Sequence, residues 1–431
     1  MHHTEILVFT PQLNSRIQYT FEHILCNILG FKIKYTQKVE VFVAFDGPKF
    51  SYGKNPLGGE LFIEEYGLLN AHGFEDIDIT VNDWGGLPCF FRVSEQSEIE
   101  FDFFSASFYL ISRYEEYQPY VKDADEGFPI NESLAYQHNF LELPLVDLYA
   151  HKFFKILKNK FNTLRLPKKS SSTTIIFAVE SAFAYKEKSF FRQIGGAITD
   201  LYQLQFNAVW ERIQVNFKVK KDPFNVFEKL RKLKNKSQYN FVFLFQVSDF
   251  SVKNRNINHN KRAYQHLIKS VGDHFKTGIL IGYDALKDVG VLAEEKQRWE
   301  DIAKVDLKTS GNKKYGLNFP DAYINLGKLG VKNDYSLTYP KKIGFRASTC
   351  TPFKFYDLDL EQATPLVLHP CVFNSGAISE LNFTEIKEKL LKIRKQVKKV
   401  RGEFNLLMEN SDYVNDDYKQ LISSILKNEE K

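Results

Sequence analysis

Three side chains at the ends of expected strands, Glu180, His369 and Glu409, could move a proton or hold a cation. Carboxylates and an imidazole exchange protons or ligate ions such as zinc and manganese. To share one ion they must converge within about 5 Å of a point, because ligand bonds are near 2.1 Å. Arg346, Tyr283 and Lys313 are candidates for holding a substrate, offering a planar fork of donors, an aromatic face and a compact charge. Arg346, Tyr283 and Glu180 are expected to line one concave pocket. Glu115 and Glu116 are adjacent, and helical neighbours point about 100° apart, so ion pairing is expected of them rather than joint acid and base work. Cys26, Cys89, Cys350 and Cys371 are far apart with no C-x-x-C pair, which reads as buried thiols in a reducing compartment. His259, His266 and His274 lack metal spacing, and the glycines at 53, 58 and 59 fit no phosphate-binding loop.

The elements that must position these groups follow from periodicity. The apolar run Ile175, Ile176, Phe177 and Val179 has strand length and stops at Glu180. Beyond it strands and helices alternate: strands at 174–180, 240–247, 278–282, 304–309, 334–339, 364–372 and 403–409, helices at 190–206, 223–235, 262–275, 290–303, 321–329 and 384–400. Alternation of this kind predicts a parallel sheet or barrel covered by helices. Ahead of it, a strand at 4–10, a helix at 14–29 and one or two strands over 32–45 make an α/β opening. Apolar residues at 104, 108, 111 and 114 give a buried helix face, and a helix runs from Leu145 to about Phe161. The stretch Pro167-Lys168-Lys169-Ser170-Ser171-Ser172 reads as an exposed linker. The expected division is 1–166, a linker at 167–173, and 174–427.

Composition agrees with two packed domains: 431 residues, 43% hydrophobic and 26% charged. The 39 Phe and 22 Tyr favour large aromatic cores without naming an activity. The net charge of +5 is small and sits partly in the Lys and Arg of helix 384–400, read as a solvated face rather than a polyanion site, so no nucleic-acid partner is expected. The start Met1-His2-His3-Thr4 lacks signal-peptide features, and no apolar run approaches the ~20 residues of a membrane helix, so a cytoplasmic protein without a membrane segment is expected.

The segment Ala178-Val179-Glu180-Ser181-Ala182-Phe183-Ala184-Tyr185-Lys186 resembles the first motif, roughly Asp-Ile-Asp-x-Ala-x-Ala-Tyr-Lys, of polysaccharide deacetylases (NodB-type, carbohydrate esterase family 4-like) in the branch with an extra N-terminal domain. That resemblance implies an N-terminal α/β domain followed by a distorted (β/α) barrel. It also implies a catalytic Asp where Ala178 stands and a metal-ligating Asp at Glu180. The second motif, a His-Pro-Ser-Tyr, matches Leu280-Ile281-Gly282-Tyr283, and the third, Arg-x-His, matches Gly311-Asn312-Lys313. The region from Gly344 through Leu358 keeps the pattern, with Ser348 for a Gly. Leu368-His369 echoes an acid motif, while Met408-Glu409-Asn410 replaces Trp-His-Asn.

Framework is retained and ligands are lost. The resemblance therefore implies a non-catalytic glycan- or partner-binding pseudoenzyme linked to envelope polysaccharide metabolism, with no metal site and no cofactor. Its possible partners are a carbohydrate or a polysaccharide-synthesis protein. The alternative is an active hydrolase removing N- or O-acetyl groups from a carbohydrate, with Glu180, His369 and Glu409 around a displaced divalent metal such as zinc.

Overall fold

The computed structural model describes residues 5–124, 126–186, 202, 206–217, 219–234, 239–379 and 381–427. Strands β1 (Glu5–Phe9), β2 (Lys32–Thr36), β3 (Lys49–Gly53) and β4 (Phe62–Glu64) form a parallel sheet in the order β2-β1-β3-β4. Strand β1 is buried on both faces, as parallel strands are. Ile6 and Val8 enter the main core, while Leu7 and Phe9 pack on Phe42. That second face explains a difference from expectation. Val39–Ala44 is a helix rather than a strand, laying Phe42 over β1, and Lys49 Nζ donates to the carbonyls of Phe42, Val43 and Phe45 at its end.

A hairpin of two-residue strands, β5 (Asn82–Asp83) with β6 (Pro88–Cys89), precedes the larger sheet. Among the described residues nine strands follow: β7 (Ser172–Val179), β8 (Asn240–Phe245), β9 (Lys276–Leu280), β10 (Thr309–Gly311), β11 (Asn333–Asp334), β12 (Phe353–Asp357), β13 (Gln362–Leu368), β14 (Cys371–Asn374) and β15 (Glu403–Glu409). Their order is β12-β13-β11-β10-β9-β8-β7-β15-β14, and only β12 runs antiparallel to its neighbour. The sheet curls. Cys371 N donates to Leu337 O at 3.0 Å and Gly344 N to Val372 O at 2.8 Å, bringing edge strand β14 against the segment after β11.

Period-two alternation sorts side chains to two sides of the curl. Ile175, Phe177 and Val179 of β7, with Phe241, Phe243 and Phe245 of β8, face the outer helices. Ile176, Ala178, Val242, Leu244, Leu280, Tyr335, Cys371 and Leu407 form a separate apolar cluster inside. The expected strand over 334–339 shortens to two residues, and 364–372 divides into β13 and β14 at His369-Pro370. The helix expected over 190–206 lies outside the described residues apart from positions 202 and 206.

One apolar core, running from Ile6 to Ile425, joins the two sheets. Polar bonds cross with it. Buried Arg16 donates through Nε to Glu361 Oε2 at 2.8 Å, beside the β12-β13 turn. Asp147, in the first turn of the helix Leu145–Lys160, accepts from Thr349 Oγ1 at 2.7 Å, Cys350 N at 2.9 Å and Thr351 Oγ1 at 2.5 Å. A carboxylate removed from water is stable only when saturated with donors in this way.

Candidate functional site

The ends of β7, β9, β10 and β15 meet at the mouth of the curl. Glu409 and Ala178 are paired across β15 and β7, and Gly311 and Leu280 across β10 and β9. A side chain at Gly311 would bring its Cβ within 2.5 Å of Leu244 Cδ1, so the residue type here is set by close packing with β8. Directly after it, Asn312 Oδ1 accepts from Lys314 N at 3.2 Å and Asn374 Nδ2 donates to Lys313 O at 2.7 Å, fixing the loop that presents Lys313.

Lys313 Nζ donates to Glu409 Oε1 at 2.8 Å, and Ser411 Oγ donates to Glu409 Oε2 at 2.9 Å. Burial pushes the Glu409 carboxyl up, but Lys313 and Ser411 outweigh it and hold the group below the ordinary carboxylate range. Glu180 lies 3.5 Å from Lys314 Nζ. These groups surround a space of only about 20 Å³, lined also by Ala178 and Leu280. That is room for about one water.

Divalent-cation chemistry does not fit these donors. Ala178 and Leu280 belong to the apolar cluster and Lys313 brings a positive charge, while both mouth carboxylates face lysines. His369 is elsewhere. It hydrogen-bonds Glu403 Oε2 at 3.1 Å through Nδ1 and Asn333 Oδ1 at 3.0 Å through Nε2, and its ring stacks on Tyr335. Glu403 and Glu409 are the two ends of β15, roughly 20 Å apart at ~3.3 Å per residue. The expected convergence of Glu180, His369 and Glu409 on one ion is therefore corrected. Among the described residues no group of three or more His, Cys, Asp and Glu is placed to hold a metal.

Glu180, Arg346 and Tyr283 border three adjoining spaces that share Tyr315 in their walls. Arg346 borders one of about 170 Å³, between residues 123–130 and the loop at 312–317. Its guanidinium is already engaged, with Nε and Nη2 donating to Glu116 at 2.8 and 2.6 Å. Arg113 Nε donates to the same Glu116 at 2.8 Å and its Nη2 to Glu115 Oε1 at 2.7 Å. Arg113 has a left-handed backbone, φ 56°, which ends the helix Phe103–Ile111 and starts a 3-10 turn. That break lets one arginine reach both neighbouring glutamates, which a continuous helix would have splayed apart. Tyr283 sits at the rim, donating to Glu126 and accepting from Lys287 Nζ at 2.7 Å.

Sequence reasoning missed Tyr315 and Lys253. Tyr315 packs edge-on to Tyr283 at 4.8 Å, and Lys253 lies 5.1 and 5.6 Å from the two ring centres. Tyr315 borders the 20 and 170 Å³ spaces and a third of about 230 Å³, making the 312–317 loop the shared wall of the mouth. One of 22 tyrosines, without a spacing pattern, gave no signal.

Residues 6–162 match the model of a family of unknown function, DUF7033. No curated protein matches the chain. Similar solved structures include a protein assigned as a polysaccharide deacetylase from Mycobacterium smegmatis, with 12% identity, TM-score 0.39, 61% of this chain covered and 86% of that one. A mutant of BA3943, a CE4-family pseudoenzyme with restored enzymatic activity, matches at 7% identity and TM-score 0.29 over 61% of this chain and 65% of its own. The polysaccharide deacetylase Bc1974 from Bacillus cereus matches at 9% and 0.29 over 60% and 86%. These likenesses are remote, and the chemistry of the mouth follows from its own side chains. No helix among the described residues is long and apolar enough to cross a membrane.

Proposed function

We propose that this chain is a deacetylase-like barrel, with residues 1–166 as a companion domain, that has given up metal chemistry. It acts as a non-catalytic binding protein for a glycan of envelope polysaccharide metabolism. The observation that carries this reading is the Lys313 to Glu409 ion pair at 2.8 Å, set where the motif resemblance expects a metal-binding imidazole. A lysine ammonium is a compact cation that needs no second ion beside it. Apolar Ala178 and Leu280 support the same reading from the strands.

The experiment is elemental analysis of the dialysed protein, paired with acetate release from N- and O-acetylated sugar oligomers with zinc, cobalt or manganese added. Less than a tenth of an equivalent of metal, with acetate release at the blank rate, is expected. A full equivalent of retained metal, or metal-dependent acetate release, overturns the proposal in favour of an acetyl hydrolase.

A further inference from the structure

A second and larger concavity lies between residues 131–143 and the helix Phe383–Val400, with a volume of about 770 Å³. Its floor is apolar, including Leu141, Ile343 and Ile393, and its walls carry the amides Asn131, Gln137, Asn139 and Gln396. Gln396 stands on the helix wall of the groove beside Lys392 and Ile393, an amide that can both donate and accept. Tyr136 is 40% exposed at the edge and offers a ring face. Lys389 and Lys392 bring positive charge to the helix side, and among the described lining residues the acid is Glu142, which bonds to Lys389 across the groove. Lys342 lines both the groove and the 170 Å³ cavity beside Lys313, so the two spaces are neighbours.

We propose that this groove binds an acidic oligosaccharide, with the chain end directed over Lys342 toward the barrel mouth. Sugar rings present apolar C–H faces and hydroxyls together, which suits an apolar floor with amides that both donate and accept. Carboxylates on the rings match the lysines. A peptide binding as an added strand would need a sheet edge, and among the described residues no strand lines the groove. A nucleic-acid strand would need a row of stacking faces, and among the described residues Tyr136 is the single aromatic one in the lining. The lysines of this helix thus divide: Lys389 and Lys392 face the groove, and the exposed Lys399 does not.

The inference rests on the glycan-binding reading above, and calorimetry separates the two. The probes are tri-galacturonate and neutral chitotriose, titrated into the full chain and into Lys392→Glu, Gln396→Ala and Lys399→Glu, each checked for an unchanged melting curve. The parent is expected to bind tri-galacturonate at least tenfold more tightly than chitotriose. Lys392→Glu and Gln396→Ala should each weaken the acidic trimer by tenfold or more, while Lys399→Glu stays within twofold. Equal affinity for both sugars overturns the preference for an acidic oligosaccharide but leaves glycan binding standing. Equal loss in Lys392→Glu and Lys399→Glu overturns it as diffuse charge attraction, and no binding of either sugar removes both readings.

Discussion

Arg346 meets Glu116 face to face, the two donors of one guanidinium edge on the two oxygens of one carboxylate at 2.8 and 2.6 Å. Both residues are buried, and Arg113 holds the same carboxylate from a second side. Burial pushes the Glu116 carboxyl up, and the two arginines more than reverse it, holding it below the ordinary carboxylate range. Removing one member of a buried pair strands the other charge, at a cost of about 3–5 kcal/mol. Glu116→Gln is expected to lose stability of that order in denaturant unfolding. Arg346→Ala should likewise act on stability, while sugar affinity per folded molecule stays unchanged.

The interior of the curl tests whether lost ligands can be put back. Leu280 and Ala178 are buried among Ile176, Val242, Leu244 and Leu407, so an imidazole or carboxylate there would lose apolar packing and crowd a space of only about 20 Å³. Leu280→His is expected to cost about 2–5 kcal/mol. Adding Ala178→Asp and Glu180→Asp should lower stability further without creating tight metal binding. A triple variant that melts like the parent and holds an equivalent of zinc would show that the cluster yields.

Lys313→Met removes the cation beside Glu409. With Lys313 in place the carboxyl sits low, so the pair contributes stability above the ordinary carboxylate pKa and loses it as pH falls through the folded value. Without it, burial dominates, and the Glu409 carboxyl should titrate above the parent value. Carbon-detected NMR titration of the side chain reads this directly.

Glu295 behaves in the opposite sense. Burial raises it from the ordinary 4.5 to about 7, only partly offset by donors that include Gly282 N at 3.1 Å. The folded chain keeps a proton that the unfolded chain releases, so stability falls as pH rises from about 4.5 to about 7 and then levels. Asp334, raised by burial to about 6, adds the same slope below that pH. The advantage of Glu295→Gln over the parent in urea unfolding should be about 2–3 kcal/mol greater at pH 8 than at pH 5.

The alternation of strand and helix patterns was legible because each element carries its own periodicity. Ile175 and Phe177 against Ile176 and Ala178 already separate the two faces of β7. What could not be read depends on distant partners. Val39–Ala44 looks like a strand by its branched residues, and only the uncovered face of β1 explains the helix. Arg346 looks like a substrate contact until Glu116, 230 residues away, closes on it. His369 ends a strand, as expected, but Glu403 and Asn333 hold it at the far end of the sheet from Glu409.

Asp147 also sets an order of events during synthesis. Its last partner, Thr351, is 204 residues further along the chain, roughly 10 to 40 s later at ribosomal speeds of ~5–20 residues per second. Until then the carboxylate has neither Thr349, Cys350 nor Thr351 to saturate it and keeps its water. The aromatic face of the helix Leu145–Lys160 packs on Phe31, Phe50, Phe101 and Phe103, all made earlier, so the helix can dock while Asp147 still waits for its donors. A ribosome stalled between the two would hold a helix whose aromatic face is already covered but whose carboxylate is still hydrated, so the last step of its docking is the exchange of water for Thr349, Cys350 and Thr351.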